Sequence, residues 1–355
     1  MVAQRDHPLE GARAIAREAL NAGRGVDPDR AIDSCDHALS LLLPVGPSDA
    51  LADVLRWKGT VMRDRGSHAA AADLYGQSLA VADSVGYATG RAQALNCLGT
   101  IAQLRGDLIA AERWYGEAAR LSHRLADRML AGMVQQNLGV LAEMQGRTDE
   151  ALAHLRLALN AFEQAQERTA VLWVLNNIGM LYTREGAYPR AADALDDALE
   201  LARMAGDTAT EGIVEENRAT LFLAIGKFDA AHASATRAYK LADQRHDNTR
   251  RAAALRQLAR VARVRQQPAA ESIATLQRAL SLCELGEDAE LRAEILSDLG
   301  DACRDAGDIT RAKDCWRRAL DVARIAGFSA MVIGLQARLR PGALDRSASV
   351  SEAAR

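Results

Sequence analysis

The chain has 355 residues, 44 basic against 47 acidic side chains, a net charge of -3 and a pI near 6.2. So weak a field gathers neither nucleic acid nor an anionic membrane, and neither is expected as a direct partner. Aromatic residues make up only 4% of the chain and there are only 7 prolines, while Ala, Leu, Arg and Glu dominate, which favours helices packed through small side chains over strands.

The five cysteines, Cys35, Cys97, Cys283, Cys303 and Cys315, are odd in number, contain no C-x-x-C and have no zinc-ligand spacing with a histidine. They read as small apolar fillers in a reduced protein, with no metal and no cofactor expected. The opening MVAQRDHPLEGARAIAREA carries charges where a secretory signal needs an apolar core, and no window approaches the roughly 18 apolar residues of a membrane span. The expected location is the cytoplasm.

Residues 1–8 read as an N-terminal extension. From residue 9 one pattern recurs every forty residues, anchored on a small residue at Ala19, Gly59, Gly99, Gly139, Gly179, Ala219 and Ala259, with an eighth copy at Gly300. Copies are bounded near 9–48, 49–88, 89–128, 129–168, 169–208, 209–248, 249–289 and 290–327. Seven residues after the anchor stands a turn glycine, at Gly66, Gly106, Gly146, Gly186, Gly226 and Gly307, replaced by Gln266 in copy seven. Twelve residues after the anchor a second small residue follows, at Ala31, Ala71, Ala111, Ala151, Ala191, Ala231 and Ala312, and seven later a third, from Ala38 to Ala319. Copy seven keeps the frame at Ser272 and Ala279 only with one extra residue near Pro268, which accounts for its step of forty-one. Within a copy, ALNCLGTIAQLRG followed by LIAAERWYGEAARLS places apolar residues three and four apart, so each copy reads as a helical hairpin. Small residues on both helices let the backbones approach while Leu98, Tyr115 and Leu121 interlock around them.

This small-residue frame, the Leu98-Gly99 pair, the G-D or G-R turn and the late A-L resemble the tetratricopeptide family over residues 9 to about 327. The forty-residue period exceeds the family's thirty-four and is most similar to the longer-helix repeats of Pins-type and kinesin-light-chain proteins and of bacterial regulators. The resemblance implies an all-α, right-handed superhelical solenoid of about eight antiparallel helix-turn-helix repeats. Copies one, six and seven depart from the pattern with Ala at the anchor, and the aromatic of Tyr75 and Tyr115 becomes Leu155, Leu195 and Ala235, which predicts looser packing in the later copies. FSAMVIGLQARLR, 328–340, reads as a capping helix and 341–355 as a disordered tail.

No phosphate loop, H-E-x-x-H, G-x-S-x-G, G-x-G-x-x-G or EF-hand loop is present, and Gly226-Lys227 is followed by Phe228 as an ordinary repeat turn. The closely spaced Glu211, Glu215 and Glu216 read as a solvated charged face. No catalytic residue is assigned and no enzyme activity is expected.

In this family the first helix of each hairpin lines the inner groove, so the resemblance implies that positions six, three and two before the anchor, and one, four and five after it, face a ligand. Two before the anchor stand Asn137, Asn177 and Asn217, and one position earlier Asn96 and Asn176. An amide ladder of this kind grips a peptide backbone through donor and acceptor, or else bridges neighbouring helices. Met133, Trp173 and Ile213 at position minus six, with Val140 and Met180 at plus one, give an apolar middle suited to a peptide anchor or to helix packing. Arg256, Arg260 and Arg263 share one helix face and either hold an acidic segment or pair with carboxylates such as Glu216 and Asp301 in the flanking copies.

The function expected is a non-enzymatic scaffold that binds a peptide or helix of a partner protein in the groove. The alternative is a ligand- or peptide-sensing regulatory arm of a bacterial signalling or transcription-regulator system; such regulators carry a nucleotide domain or a helical bundle, for which repeats starting near residue 9 leave no room. Self-association through an uncapped end is a third reading.

Overall fold

The structure, a computed structural model, describes residues 28–283, 288–326 and 328–340, with Gly11, Arg13, Ala14 and Arg17 ahead of them. The expected extension 1–8, the anchor Ala19 and the tail 341–355 lie outside the described residues.

The described residues form α-helices and no strand. In chain order these are α1 (Pro28–Leu42), α2 (Asp49–Asp64), α3 (His68–Val85), α4 (Ala88–Leu104), α5 (Leu108–Leu125), α6 (Arg128–Met144), α7 (Thr148–Gln164) and α8 (Arg168–Arg184). There follow α9 (Tyr188–Met204), α10 (Thr208–Ala224), α11 (Phe228–Gln244), α12 (Asn248–Val264), α13 (Ala269–Cys283), α14 (Ala289–Asp305), α15 (Ile309–Ala326) and α16 (Ser329–Leu339). Two compact units divide within α8, Met1–Val174 and Leu175–Arg355.

In the first unit α2 packs on α3, α4 on α5 and α6 on α7; in the second α10 packs on α11, α12 on α13 and α14 on α15, with α16 laid against α15. The first helices also touch one another, α2 with α4, α4 with α6, α10 with α12 and α12 with α14, so within each unit they form a layer of their own. The hairpins predicted for copies two to eight and the closing helix are therefore present, as an all-α solenoid of packed helix pairs, while the first helix of copy one lies mostly outside the described residues.

Two kinds of turn punctuate the array. Inside a hairpin the expected glycine takes positive φ, as at Gly66, Gly106, Gly146, Gly186, Gly226 and Gly307, and Gln266 adopts φ 56° in copy seven. The turn closes by a tight pair of backbone bonds, Gly106 N to Gln103 O at 2.9 Å and Asp107 N to Ala102 O at 2.9 Å. Between hairpins a second left-handed residue recurs at Gly86, Ala126, Gln166, Gly206 and His246, mostly without glycine's freedom. Asp127, Asp207, Asp247 and Asp288 then cap the next helix, each accepting from a backbone N–H in its first turn.

The small-residue frame is the floor of the core: Ala111, Ala118, Ala151, Ala158, Ala191 and Ala198 are fully buried. Each anchor glycine receives the side chain sixteen residues later, and a Cβ there would stand 2.7 Å from Tyr75 at Gly59, 2.5 Å from Tyr115 at Gly99, 2.8 Å from Leu155 at Gly139, 2.6 Å from Leu195 at Gly179 and 2.5 Å from Trp316 at Gly300. Copy six compensates differently, pairing Ala219 with Ala235, both fully buried. Copy six thus exchanges volume reciprocally across the hairpin, while Leu155 and Leu195 fill slots whose anchors remain glycine. In copy seven the extra residue falls between Gln266 and Ser272, whose buried hydroxyl still reaches Ala259 O at 3.4 Å.

Candidate functional site

The residue after each anchor is matched to the side chain that fills the anchor slot. Where that side chain carries a polar atom the neighbour accepts or shares a hydrogen bond: Tyr75 Oη to Thr60 at 3.2 Å, Tyr115 Oη to Thr100 at 3.2 Å, and Trp316 Nε1 to Asp301 at 3.2 Å. Where it is Leu155 or Leu195, the neighbour is Val140 or Met180, both half-buried. The apolar character of these two positions therefore has a packing cause in the leucine that replaces tyrosine.

Four of the five expected amides are paired across copies. Asn137 Nδ2 donates to Asn96 Oδ1 at 2.9 Å in the first unit, and Asn217 Nδ2 donates to Asn176 Oδ1 at 2.8 Å in the second. Asn96 and Asn176 are buried, at 4% and 5% exposure, so they brace adjacent first helices and present no free edge. Of the two roles open to the ladder, helix bridging is the one these four take. Asn177 differs: it is half-buried, and its side chain makes no hydrogen bond among the described residues. Copy seven continues the bracing with another amide, Gln257 Nε2 donating to Thr220 Oγ1 at 3.1 Å.

Of the apolar set, Met133 on α6 is exposed, at 41%, whereas Trp173 and Ile213 are half-buried. Met133, Asn137 and Val140 follow at four and three spacing and share one face of α6, as Ile213 and Asn217 do on α10.

The arginine stripe is largely neutralised, by Asp301 as the sequence suggested and by further carboxylates it did not. Arg256 pairs with Asp298 at 2.7 Å and Glu294 at 2.8 Å, and Arg263 with Asp305 at 2.7 Å and Asp301 at 4.0 Å, all on α14. Glu216 instead lies 4.0 Å from Arg250, and Asp301 does not pair with Arg260. Arg260 has no carboxylate in ion-pairing range; its Nη1 donates to Gln257 Oε1 at 3.0 Å. Burial lowers its pKa, opposed by Asp298 and Glu294 and reinforced by Arg256 and Arg263.

The acidic group on α10 departs from the solvated face expected. Glu211 and Glu215 are buried, at 5% and 4% exposure. Arg237 at 3.0 Å and Arg203 at 3.3 Å hold Glu211, and Arg203 at 2.9 Å and Arg218 at 3.3 Å hold Glu215. Glu216 is pushed up to about 7 by burial, against the opposing pull of Arg250 and Arg256. It lines a cavity of about 60 Å³ with Gly212, Ile213, Ala238, Ala242 and Arg250. Sequence reasoning missed this cavity, whose signal is the glycine–alanine pair Gly212 and Ala242 at positions that copy four fills with Phe162 against Gly132. Among the described residues no group of His, Cys, Asp or Glu is arranged to hold a metal, and no helix is long and apolar enough to cross a membrane.

No curated protein sequence matches the chain. Several solved structures share its fold. A Rap protein complexed with Competence and Sporulation Factor aligns at TM-score 0.69 and 13% identity, over 90% of this chain and 87% of that one. The apo quorum sensor NprR from B. thuringiensis aligns at 0.64 and 15%, over 87% and 88%, and a tetratricopeptide repeat protein from Parabacteroides merdae at 0.55 and 17%, over 80% and 98%. The tetratricopeptide repeat model matches residues 90–164, 170–244 and 250–325, each span holding nearly two of the forty-residue copies. With most of its length matched in this way, and with the glycine slots, small-residue floor and paired helices just described, the chain belongs to the tetratricopeptide repeat family.

Proposed function

We propose that the chain is a non-enzymatic, cytoplasmic scaffold that binds a peptide or helix of a partner protein on the first-helix layers of its units. The observation that carries this reading is Asn177, a half-buried amide on one such layer which, unlike the four interlocked asparagines, keeps its donor and acceptor unspent. On the first unit Met133, Val140 and Trp173 supply apolar contact, and on the second Met180 and Ile213 do so, beside the interlocked amides of Asn137 and Asn217. The eight copies bounded as in the sequence, closed by the helix at 328–340, are the organisation that goes with this function.

The test is selection of peptides from a random display library on the intact chain, with affinities then measured against Asn177→Ala and Met133→Ala. Selected peptides should lose about tenfold on at least one variant. Equal binding to both would remove these residues from the site.

A second reading is a regulatory arm that senses a peptide, in a bacterial signalling system. It is favoured by the likeness to a Rap protein solved with Competence and Sporulation Factor. A peptide that binds and also changes small-angle scattering of the chain would favour this reading over a passive scaffold.

A further inference from the structure

In the second unit one cation stands apart. Arg256, Arg260 and Arg263 follow at four and three spacing on α12, but the first and last are each clamped by two carboxylates of α14. Arg260 between them has none. It is nevertheless held in place: its Nη1 donates to Gln257 Oε1 at 3.0 Å, and Gln257, only 4% exposed, is fixed through Nε2 to Thr220 of the preceding copy at 3.1 Å. One N–H of the guanidinium is thereby used for orientation, and the remaining donors are unspent.

This arrangement works against stability. A half-buried guanidinium beside two others loses solvation, and Asp298 and Glu294, whose direct contacts go to Arg256, offset this only from a distance. The neighbouring arginines show that α14 readily supplies carboxylates to this face, yet none reaches Arg260. A guanidinium oriented by Gln257, with no carboxylate in direct contact, on the first-helix layer is a fork for an incoming anion. Glu294 and Asp298, which flank it through Arg256, disfavour a doubly charged group such as phosphate and leave a singly charged carboxylate as the better fit.

We propose that Arg260, oriented by Gln257 and Thr220, anchors a carboxylate of the bound peptide. This rests on the peptide-binding reading above and adds the chemistry the partner must carry. The carboxylate belongs to a peptide C-terminus or to an Asp or Glu side chain.

The direct test is a titration of the intact protein with N-acetylglycine, which carries a single carboxylate, with inorganic phosphate in parallel, followed through the Arg260 side-chain Nε–H resonance. A saturable shift with the carboxylate, stronger than with phosphate, is expected; no shift, or a preference for phosphate, overturns the assignment. Peptides selected on the wild type should be enriched in a carboxylate and lose about ten- to a hundredfold in affinity on Arg260→Gln, with partial rescue by Arg260→Lys. C-terminal amidation then separates the two sources, since it abolishes the dependence on Arg260 only if the terminus is the ligand. Selected peptides that bind Arg260→Gln unchanged overturn the proposal and leave the peptide reading intact. If no peptide is selected while the resonance still shifts, the peptide reading fails and the carboxylate site stands. Thermal melting supplies the structural control: Arg260→Met should melt at or above the wild-type temperature, and a clear fall would mark Arg260 as a structural residue and count against the proposal.

Discussion

The ring of Tyr115 occupies the place where a Cβ on Gly99 would stand, its Cε1 2.5 Å from that position. The same relation links Gly59 to Tyr75 and Gly300 to Trp316, so the anchor glycine is kept for the space it leaves, inside an otherwise regular helix.

Gly99→Ala should therefore destabilise by about 1–3 kcal/mol, although an exposed helical glycine gains from the same change. Adding Tyr115→Leu should recover part of the loss, since Ala259 coexists with the buried Leu276 in copy seven. Denaturant melts of the single and double variants measure the coupling; additive losses would contradict it.

The contrasting glycine is Gly212. A Cβ there would meet nothing closer than Leu241 Cβ at 3.7 Å, whereas at the equivalent Gly132 it would lie 2.6 Å from the Phe162 ring. Gly212→Ala should stabilise by about 1 kcal/mol, from helix propensity and partial filling of the cavity. Gly132→Ala should destabilise, and a calorimetric comparison of the pair checks both signs.

The asparagines divide in the same way. Asn217→Ala orphans the buried Asn176 carbonyl oxygen and should cost about 1–3 kcal/mol. Asn177→Ala removes no hydrogen bond and should change stability by less than about 0.5 kcal/mol while weakening peptide binding. Parallel melting and binding curves test the separation; a large stability loss in Asn177→Ala would show that it too is a brace.

Glu216 gives a pH signature. Its carboxyl titrates near 7 in the folded chain because burial disfavours the anion, against about 4.3 for an unperturbed glutamate. The folded state binds the extra proton between these values, so the stability linked to this group is full below the lower one and is lost as pH rises through 7. The loss should not exceed about 4 kcal/mol, and should be smaller because the side chain keeps 17% of its surface exposed. Glu216→Gln should flatten this part of the stability–pH curve, and an unchanged slope would assign it elsewhere.

The period of forty was legible because packing two helices at close range demands a small residue at fixed places, and eight copies repeat the demand. The turn glycines were legible for the same reason. The second series of left-handed turns was not, since Ala126, Gln166 and His246 take positive φ without the residue that advertises it. At the candidate site, residue type alone could not tell Asn177 from Asn176: one position along a helix separates an amide with no partner from one that accepts from Asn217. Charge was harder still. The arginine stripe was visible, but which member stays uncompensated depends on the reach of Glu294, Asp298 and Asp305 from the next hairpin. Likewise the burial of Glu211 and Glu215 depends on Arg203 and Arg237, 8 to 26 residues away and beyond any local pattern, with only Arg218 within one helical turn of Glu215.

Trp316, sealed in the Gly300 slot at 1% exposure, is the sole tryptophan of the second unit, the other three, Trp57, Trp114 and Trp173, all lying in the first. Replacing those three by phenylalanine would leave an intrinsic fluorophore that reports on the last hairpin alone. Its blue-shifted emission would then redden only when α14 and α15 part, so the melting of one end of the array can be read optically without attaching a label.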